Sequence, residues 1–391
     1  MLARISNFRP WWRLFLLFLL FPLSSCVGPL RKVLEPEAPR EAARGLSPVR
    51  PQAVPEFRDD LQGARLLDAV RSSLAYFEKQ NLDRRVSFGP DAYPSAAVRR
   101  HLEKVAAVLE GRLDGRDPFK TLSAISKPYQ GAGKDGRVLF TAYYEPVLEG
   151  SRKPDPRYPV PLYRPPEDLV SRGSGRPYLT RHEIDRLGRL AGKGYEILWL
   201  KDPVEAFFLH IQGSGRILLE DGASLRVRYA ANNGRPYRSI GEVLIQTGRL
   251  KPGEASAPSI KAYLRAHPDE RDEILDANER YIFFEAVEDG FGPRGSLAVT
   301  LTEGRSIAAD PAYYPRGALA WIETEAPILD ENGRLKGWKP LRRFVLIQDA
   351  GGAIQGPGRA DIFWGSGERA GLEAGYMRRE GRLFVLAPKD P

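Results

Sequence analysis

The hydrophobic period of the chain changes near residue 137, and this change constrains the fold more than any other feature. Before it, apolar residues recur every three or four positions over 59–77 and 95–109, which predicts two helices. Asp59-Asp60 would cap the first helix and Ser95 the second. After residue 137, short apolar runs alternate with turn residues. The pattern therefore predicts helices followed by a mainly β body, built from barrels rather than a doubly wound sheet.

The β body is predicted from short runs bounded by glycine and proline, of which the chain has 38 and 33. Asp221-Gly222 predicts a hairpin turn, and a helical segment is expected over 239–278. Strands are predicted over 138–144, 196–200, 204–212, 216–219, 225–230, 281–287, 318–322, 344–348 and 383–386.

The N-terminus has the composition of an export signal. Arginines 4, 9 and 13 precede an apolar run over 14–23, which is too short to span a bilayer and suits a signal peptide. Leu23-Ser24-Ser25-Cys26 then resembles a bacterial lipobox. We expect cleavage after residue 25, lipid on Cys26, and a proline-rich tether over 26–56. Val27 favours an outer-membrane lipoprotein facing the periplasm; the alternative is an ordinary signal peptide with an incidental thiol.

The charge and composition of the chain limit its possible partners and the kinds of catalytic site it could hold. The formal net charge is +9, and removal of residues 1–25 would leave +6, which favours an anionic polymer as partner. Export makes nucleic acid an unsuitable partner. With four His and one Cys, a zinc site of the Cys/His type is disfavoured, and no metal or cofactor is expected. The histidines are scattered, so a Ser-His-Asp hydrolase has little support.

Three aspartates lie among glycines and apolar residues, and they are the candidates for catalysis. Asp310 precedes a proline, and Asp349 joins a predicted strand to a glycine pair. Asp361 directly precedes Ile-Phe-Trp, an apolar setting that raises the pKa of a carboxyl group and suits a general acid. The alternative is that all three accept backbone amides in turns or helix caps.

The motifs around these aspartates resemble the membrane-bound lytic murein transglycosylase A family. Its C-terminal three-aspartate domain matches LTEGRSIAADP (301–311), QDAGGAIQG (348–356) and RADIFWGSG (359–367). Upstream, the matching segments are AYYEP (142–146), DPVEAFFLHIQGSG (202–215), NGRPY (233–237) and YIFF (281–284). The resemblance spans roughly 137–388. Ala350 and Gln355 depart from the usual family residues and bear on substrate contacts rather than on the acid.

The resemblance implies a double-psi β-barrel domain with a smaller β-barrel-like domain inserted into it and a substrate groove between them. The barrel would combine 57–145 with 286–391, and the insert would cover 146–285. The groove would hold a peptidoglycan glycan strand.

The resemblance also implies a lytic transglycosylase in which Asp361 is the single catalytic acid and Asp349 and Asp310 support it. The alternatives are a muramidase that uses water and a non-catalytic barrel that binds cell wall. Trp364 would stack on a sugar or pack internally. Other candidate substrate-binding residues, by motif match, are Tyr143, Tyr144, Gln212 and Ser214.

Overall fold

The computed structural model of the chain describes residues 45–113, 117–131, 134–171, 176–288 and 292–389. These residues belong to one compact unit. The predicted signal peptide, Cys26 and the tether as far as residue 44 lie outside the described residues.

The strands form a large sheet, a smaller sheet and one hairpin, the last made by β2 (Arg85–Phe88) and β3 (Asp91–Pro94). The large sheet contains β1 (Leu46–Pro48), β4 (Ser126–Gly131), β5 (Val138–Glu145), β12 (Ser306–Ala309), β13 (Leu319–Leu329), β14 (Leu335–Asp349), β15 (Arg359–Ser366) and β16 (Arg378–Pro388). The smaller sheet contains β6 (Val147–Ser151), β7 (Val160–Tyr163), β8 (Glu196–Leu200), β9 (Ser214–Leu219), β10 (Ser224–Asn232) and β11 (Ile282–Glu288).

Helices precede the barrel, surround the smaller sheet and follow β15. They are α1 (Leu66–Phe77), α2 (Ser95–Leu109), α3 (Pro118–Ile125), α4 (Glu167–Ser171), α5 (Arg181–Asp185), α6 (Pro203–Gln212), α7 (Ile240–Gln246), α8 (Ala257–Ala266), α9 (Pro268–Asp276) and α10 (Glu368–Tyr376). The expected helical segment over 239–278 is confirmed by α7, α8 and α9.

Six strands of the large sheet close into a barrel in the order β5-β15-β12-β14-β13-β16, because β16 pairs with β5 again. Two of these pairings, β12 with β14 and β15 with β5, are parallel. One apolar core joins the barrel to the N-terminal segment, and it includes the fully buried Trp321 and Phe344, which contact Phe57. Helices α1 and α2 pack against the outside of β14 and β16, so the expected mainly β fold with a helical N-terminus is confirmed.

The smaller sheet is formed by the chain between β5 and β12 and has its own core. Its order is β11-β10-β9-β6-β8-β7, and the edge strands β7 and β11 contact each other, so the sheet curls into a barrel-like shape. The hairpin between β9 and β10 turns at Gly222 with a φ of 80°, as Asp221-Gly222 predicted.

The predicted strand over 204–212 is wrong, because these residues form α6. Asp202 caps the helix by accepting hydrogen bonds from the amides of Val204 and Glu205, and Pro203 occupies its first turn. Gly213 ends it in the left-handed conformation. The run Val204–Leu209 is apolar nearly throughout, so its period fits a strand or a helix, and the two caps decide in favour of the helix.

The N-terminal segment also differs from the expectation. Leu46 is buried and pairs with Gly131, so the predicted tether ends before this strand rather than at residue 56. Asp59 does not cap α1, which begins at Leu66. Its carboxylate instead accepts two hydrogen bonds from the guanidinium of Arg305, at 2.6 and 2.8 Å, and both side chains are fully buried.

Candidate active site

One row of side chains crosses four strands of the barrel. Thr141 of β5 pairs with Asp361 of β15, Asp361 pairs with Ala308 of β12, and Ala308 pairs with Asp349 of β14. Residues paired in this way point to the same face of a sheet. The two carboxyl groups therefore lie on one face, separated by the small side chain of Ala308.

Asp361 is held by β15 in a half-buried position, between the buried Ala360 and Ile362. The hydroxyl of Thr141 donates a hydrogen bond of 2.7 Å to its Oδ1 atom. Burial raises the pKa of Asp361 to about 6, against the lowering effects of the Thr141 hydrogen bond and the Arg359 charge, and the negative charge of Asp349 adds to the rise. The carboxyl group is thus desolvated, but the side chains that interact with it are the polar Thr141, Arg359 and Asp349, and the adjacent Ile362 faces the other side of β15.

Asp349 accepts three hydrogen bonds. The Tyr143 hydroxyl donates to Oδ2 at 2.8 Å, and the amides of Ser296 and Ala350 donate to Oδ1 at 2.7 and 2.8 Å. Burial raises its pKa, and these donors partly offset the rise. The loop at Ser296 can approach Asp349 because residue 295 is a glycine. A Cβ at this position would lie only 2.6 Å from the Gln348 carbonyl oxygen and would push the loop away.

Asp310, just after β12, binds two backbone amides. Its Oδ1 accepts from Ala312 at 2.9 Å, and its Oδ2 accepts from Gly356 at 2.6 Å. The second bond fixes the loop between β14 and β15, which connects Asp349 to Asp361. Asp310 thus acts as the turn residue that the alternative interpretation allowed, in a loop that borders the site.

A cavity of about 1040 Å³ adjoins this row and is lined by both sheets. The barrel contributes Tyr143, Asp310 and Asp349, and the smaller sheet and α6 contribute Ser214 and Gln212. Asp361 lies next to this lining rather than in it. Two further tyrosines project into the cavity from the smaller domain, Tyr229 and Tyr237, and their side chains are 46% and 41% exposed. Exposed tyrosine rings in a groove suit stacking on flat, partly apolar ligands such as sugars.

The other predicted groove residues lie elsewhere or are already engaged. Tyr144 lines a second cavity, where its hydroxyl accepts a hydrogen bond from Lys261 at 3.3 Å. The Trp364 indole packs on the barrel core and donates to Glu373 at 2.7 Å. Gln212 borders the main cavity, but its Oε1 accepts the Tyr144 amide at 3.0 Å and so joins α6 to β5.

Three further residues belong to the site and were not predicted from the sequence: Thr141, Ser296 and Arg359. Thr141 is an inconspicuous hydroxyl in a predicted strand, and Ser296 contributes mainly its backbone amide. Arg359 stands two residues before Asp361, so the alternation of a strand places both on the same face, and this spacing could have identified it.

The arrangement suits proton transfer by one carboxyl group. A carboxyl with a pKa of about 6 is protonated in about a tenth of molecules at pH 7, far more often than an ordinary aspartate, and can give up and regain a proton. Asp361 Oδ2 has no hydrogen-bond partner within the described residues, whereas both oxygens of Asp349 are engaged. Asp361 is therefore the better proton donor of the pair.

Comparisons with known proteins show which families the chain resembles. A family model described as the MltA specific insert domain matches residues 139–285, and a model described as the 3D domain matches 305–387. Membrane-bound lytic murein transglycosylase A of Escherichia coli (strain K12) is 36% identical over 260 residues, which cover 66% of this chain and 67% of that protein. The Vibrio cholerae protein of the same name is 33% identical over 259 residues, with 66% and 67% coverage.

Solved structures are similar over most of the chain. The crystal structure of a membrane-bound lytic murein transglycosylase from Agrobacterium tumefaciens has a TM-score of 0.72 at 32% identity and covers 88% of this chain and 98% of that one. The E. coli MltA crystal structure with bound chitohexaose has a TM-score of 0.70 at 28% identity, with 88% and 95% coverage.

Proposed function

The chain belongs to the membrane-bound lytic murein transglycosylase A family, and we propose that Asp361 is the single carboxyl group that performs its chemistry. The protein is a peptidoglycan lytic transglycosylase. The bond cut lies between N-acetylmuramic acid and N-acetylglucosamine. Cleavage has to overcome a poor leaving group and an oxocarbenium-like transition state.

Asp361 would act first as acid and then as base. Its protonated Oδ2 donates a proton to the glycosidic oxygen as the bond to C1 of the muramic acid breaks. The resulting carboxylate takes the proton from the C6 hydroxyl of the same sugar. The C6 oxygen then bonds to C1 and gives a 1,6-anhydro ring, so Asp361 ends protonated and no water is consumed.

The observation that carries this proposal is the contrast between the two carboxyl groups of the row. Asp361 has a pKa raised to about 6 and an unengaged Oδ2, so it can hold and transfer a proton. Asp349 accepts three hydrogen bonds, which fix its orientation. Its role is to orient Tyr143 and the loop at Ser296 and to add negative charge beside the oxocarbenium-like centre.

The cavity between the two sheets is the proposed glycan groove. Tyr229 and Tyr237 would stack on sugar rings, and Ser214 offers a hydroxyl from the same wall. The E. coli relative crystallised with chitohexaose supports a polysaccharide as ligand of this groove. The glycosidic oxygen has to reach Asp361 at the edge of the cavity.

Anchoring is proposed from the sequence. The relatives are described as membrane-bound, and within the described residues no helix is long and apolar enough to cross a bilayer. We infer that lipid on Cys26 attaches the protein to the outer membrane, facing the periplasm. Cys26→Ala should abolish incorporation of a palmitate analogue in cells, and persistent labelling of this variant would exclude the lipid anchor.

The catalytic proposal is tested by Asp361→Asn, measured on isolated sacculi with mass spectrometry of the products. The wild-type digest should contain 1,6-anhydromuramoyl ends, also in the presence of a chelator. Asn cannot transfer the proton, so turnover should fall by roughly 10²–10⁴-fold or more. Asp310→Asn, the matched replacement outside the row, should lose much less activity, because Asp310 positions the loop between β14 and β15 and transfers no proton.

Three outcomes would contradict parts of the proposal. Near-normal turnover of Asp361→Asn would move the acid elsewhere. Reducing muramic ends in place of anhydro ends would make the protein a muramidase-type hydrolase. Binding to sacculi without any released product would make it a cell-wall-binding barrel.

A further inference from the structure

Arg359 is joined to Asp361 through a third side chain. Its Nη2 atom lies 3.3 Å from the Thr141 hydroxyl oxygen and donates a hydrogen bond to it, and Thr141 donates to Asp361 Oδ1 at 2.7 Å. Arg359 is half-buried, and its Nε atom is buried without a hydrogen-bond partner. Among the described residues, no carboxylate forms an ion pair with it. An arginine in such a position normally has an acidic partner.

The hydrogen bonds of this chain are directed from Arg359 toward Asp361. A guanidinium can only donate, so the Thr141 oxygen accepts from Arg359. The single hydroxyl proton of Thr141 is then directed to Asp361 Oδ1. Oδ1 is thereby engaged as an acceptor, and this arrangement favours Oδ2 as the position of a proton on Asp361.

We propose that Arg359 is a positioning residue, which through Thr141 keeps the transferable proton of Asp361 on Oδ2 and stabilises the carboxylate left after proton donation. This inference rests on the proposed role of Asp361 as the acid. It assigns a role to an arginine that forms no direct ion pair with a carboxylate of the described residues. It also explains why a charge that opposes protonation lies beside a carboxyl group that must start protonated: the same charge favours the ionised state needed in the second half of the reaction.

The other groups that face Asp361 do not replace this function. Asp349 on β14 is negative, and Tyr143 on β5 donates to Asp349 instead. Ala308 on β12 carries no charge. On the smaller domain, burial of its hydroxyl raises the pKa of Tyr237, and the Arg359 charge partly offsets this rise, so Tyr237 lies near Arg359.

The test is the pH dependence of kcat and kcat/KM for Arg359→Gln, with soluble glycan chains of defined length as substrate. Loss of the positive charge removes an influence that favours ionised Asp361, so the alkaline limb should move up by about one pH unit. Loss of the hydrogen-bond chain should lower kcat about tenfold, with KM nearly unchanged. Arg369→Gln removes the same charge from a side chain that is 92% exposed on α10, and its profile should match the wild type.

A double-mutant cycle shows whether Arg359 acts through the hydroxyl. Thr141→Val is similar in size and cannot transmit the effect, so adding Arg359→Gln to it should lower kcat far less than tenfold. Arg359→Lys keeps a cation; it should hold the alkaline limb near the wild-type position and serves as the test if the Gln variant melts below the assay temperature.

Several results would overturn the inference. The inference is wrong if folded Arg359→Gln keeps the alkaline limb of the wild type. It is also wrong if the losses of kcat caused by Thr141→Val and Arg359→Gln multiply fully in the double variant. A raised KM with unchanged kcat would make Arg359 a substrate-binding residue instead. The activity of Asp361→Asn distinguishes failure of the proposed role of Asp361 from failure of the inference about Arg359. If Asp361→Asn is inactive and the pH profile of Arg359→Gln matches the wild type, only the inference about Arg359 fails.

Discussion

Asp361→Asn should make the protein more stable at neutral pH while it abolishes turnover. In the folded chain the half-buried Asp361 prefers to be protonated, whereas in the unfolded chain it ionises freely. Above the folded pKa, the folded protein therefore carries a carboxylate that it accommodates poorly. Asn has the shape of the protonated acid, and its Oδ1 can still accept from Thr141, so the variant removes this cost.

The size of the gain follows from the pKa. A rise in the pKa of Asp361 from the ordinary 3.8 to about 6 corresponds to about 3 kcal/mol in the free energy of unfolding. The wild type is destabilised by this full amount at pH values above the folded pKa. As the pH falls from about 6 to 3.8, the folded protein binds the proton first and the deficit shrinks. Below 3.8 both states are protonated, and the wild type and the variant should be equally stable.

The assay is the melting temperature of both proteins at pH 7.5 and pH 4. The variant should melt several degrees higher than the wild type at pH 7.5, and the difference should largely vanish at pH 4. Asp310→Asn is the matched control with the opposite sign: it loses one carboxylate acceptor for the Ala312 or Gly356 amide and should melt lower at pH 7.5. A destabilised Asp361→Asn at pH 7.5, or a gain that persists unchanged at pH 4, would refute the reasoning.

Three other variants or conditions test separate parts of the structure. Asp59→Asn leaves the fully buried Arg305 without its carboxylate and should cost roughly 3–5 kcal/mol in urea unfolding, so a loss below about 1 kcal/mol would contradict the ion pair. Gly295→Ala places a Cβ against the Gln348 carbonyl and should displace the Ser296 loop from Asp349, lowering kcat more than it lowers the melting temperature. In wild-type protein, kcat/KM should decline above pH 6 as Asp361 ionises, and a flat profile to pH 8 would exclude it as the acid.

Local signals predicted the parts of the site that depend on neighbours in sequence. The run Ile-Phe-Trp after Asp361 predicted a raised pKa for this carboxyl group, and burial on β15 raises its pKa to about 6, although the groups that interact with it are polar. The alternation of 138–144 predicted β5, which carries Thr141 and Tyr143. Such features require only the period of a strand and the polarity of adjacent residues.

Contacts between distant segments could not be predicted in this way. The hydrogen bond from Tyr143 to Asp349 joins residues 206 positions apart, and it depends on the register between β12 and its two neighbours. A shift of one residue would turn either carboxyl group to the opposite face. The placement of Tyr144 in a second cavity has the same origin, because adjacent residues of β5 point to opposite sides.

The helical N-terminal segment, which lies outside both matched family models, is part of what positions the site. Gln348, the residue before Asp349, is fully buried and donates through Nε2 to the Ala69 carbonyl and the Ser73 hydroxyl of α1. Its Oε1 accepts from Ser306 on β12, so one amide side chain ties α1, β12 and the end of β14 together. The pairing of β12 with β14 shifts by one residue at this point, so Gln348 is the extra residue between the Ile307–Ile347 and Ala308–Asp349 pairs. Anchoring Gln348 to α1 holds this irregularity and with it the position of Asp349. The geometry of the row across the barrel therefore depends on α1, although α1 contributes no residue to the row itself.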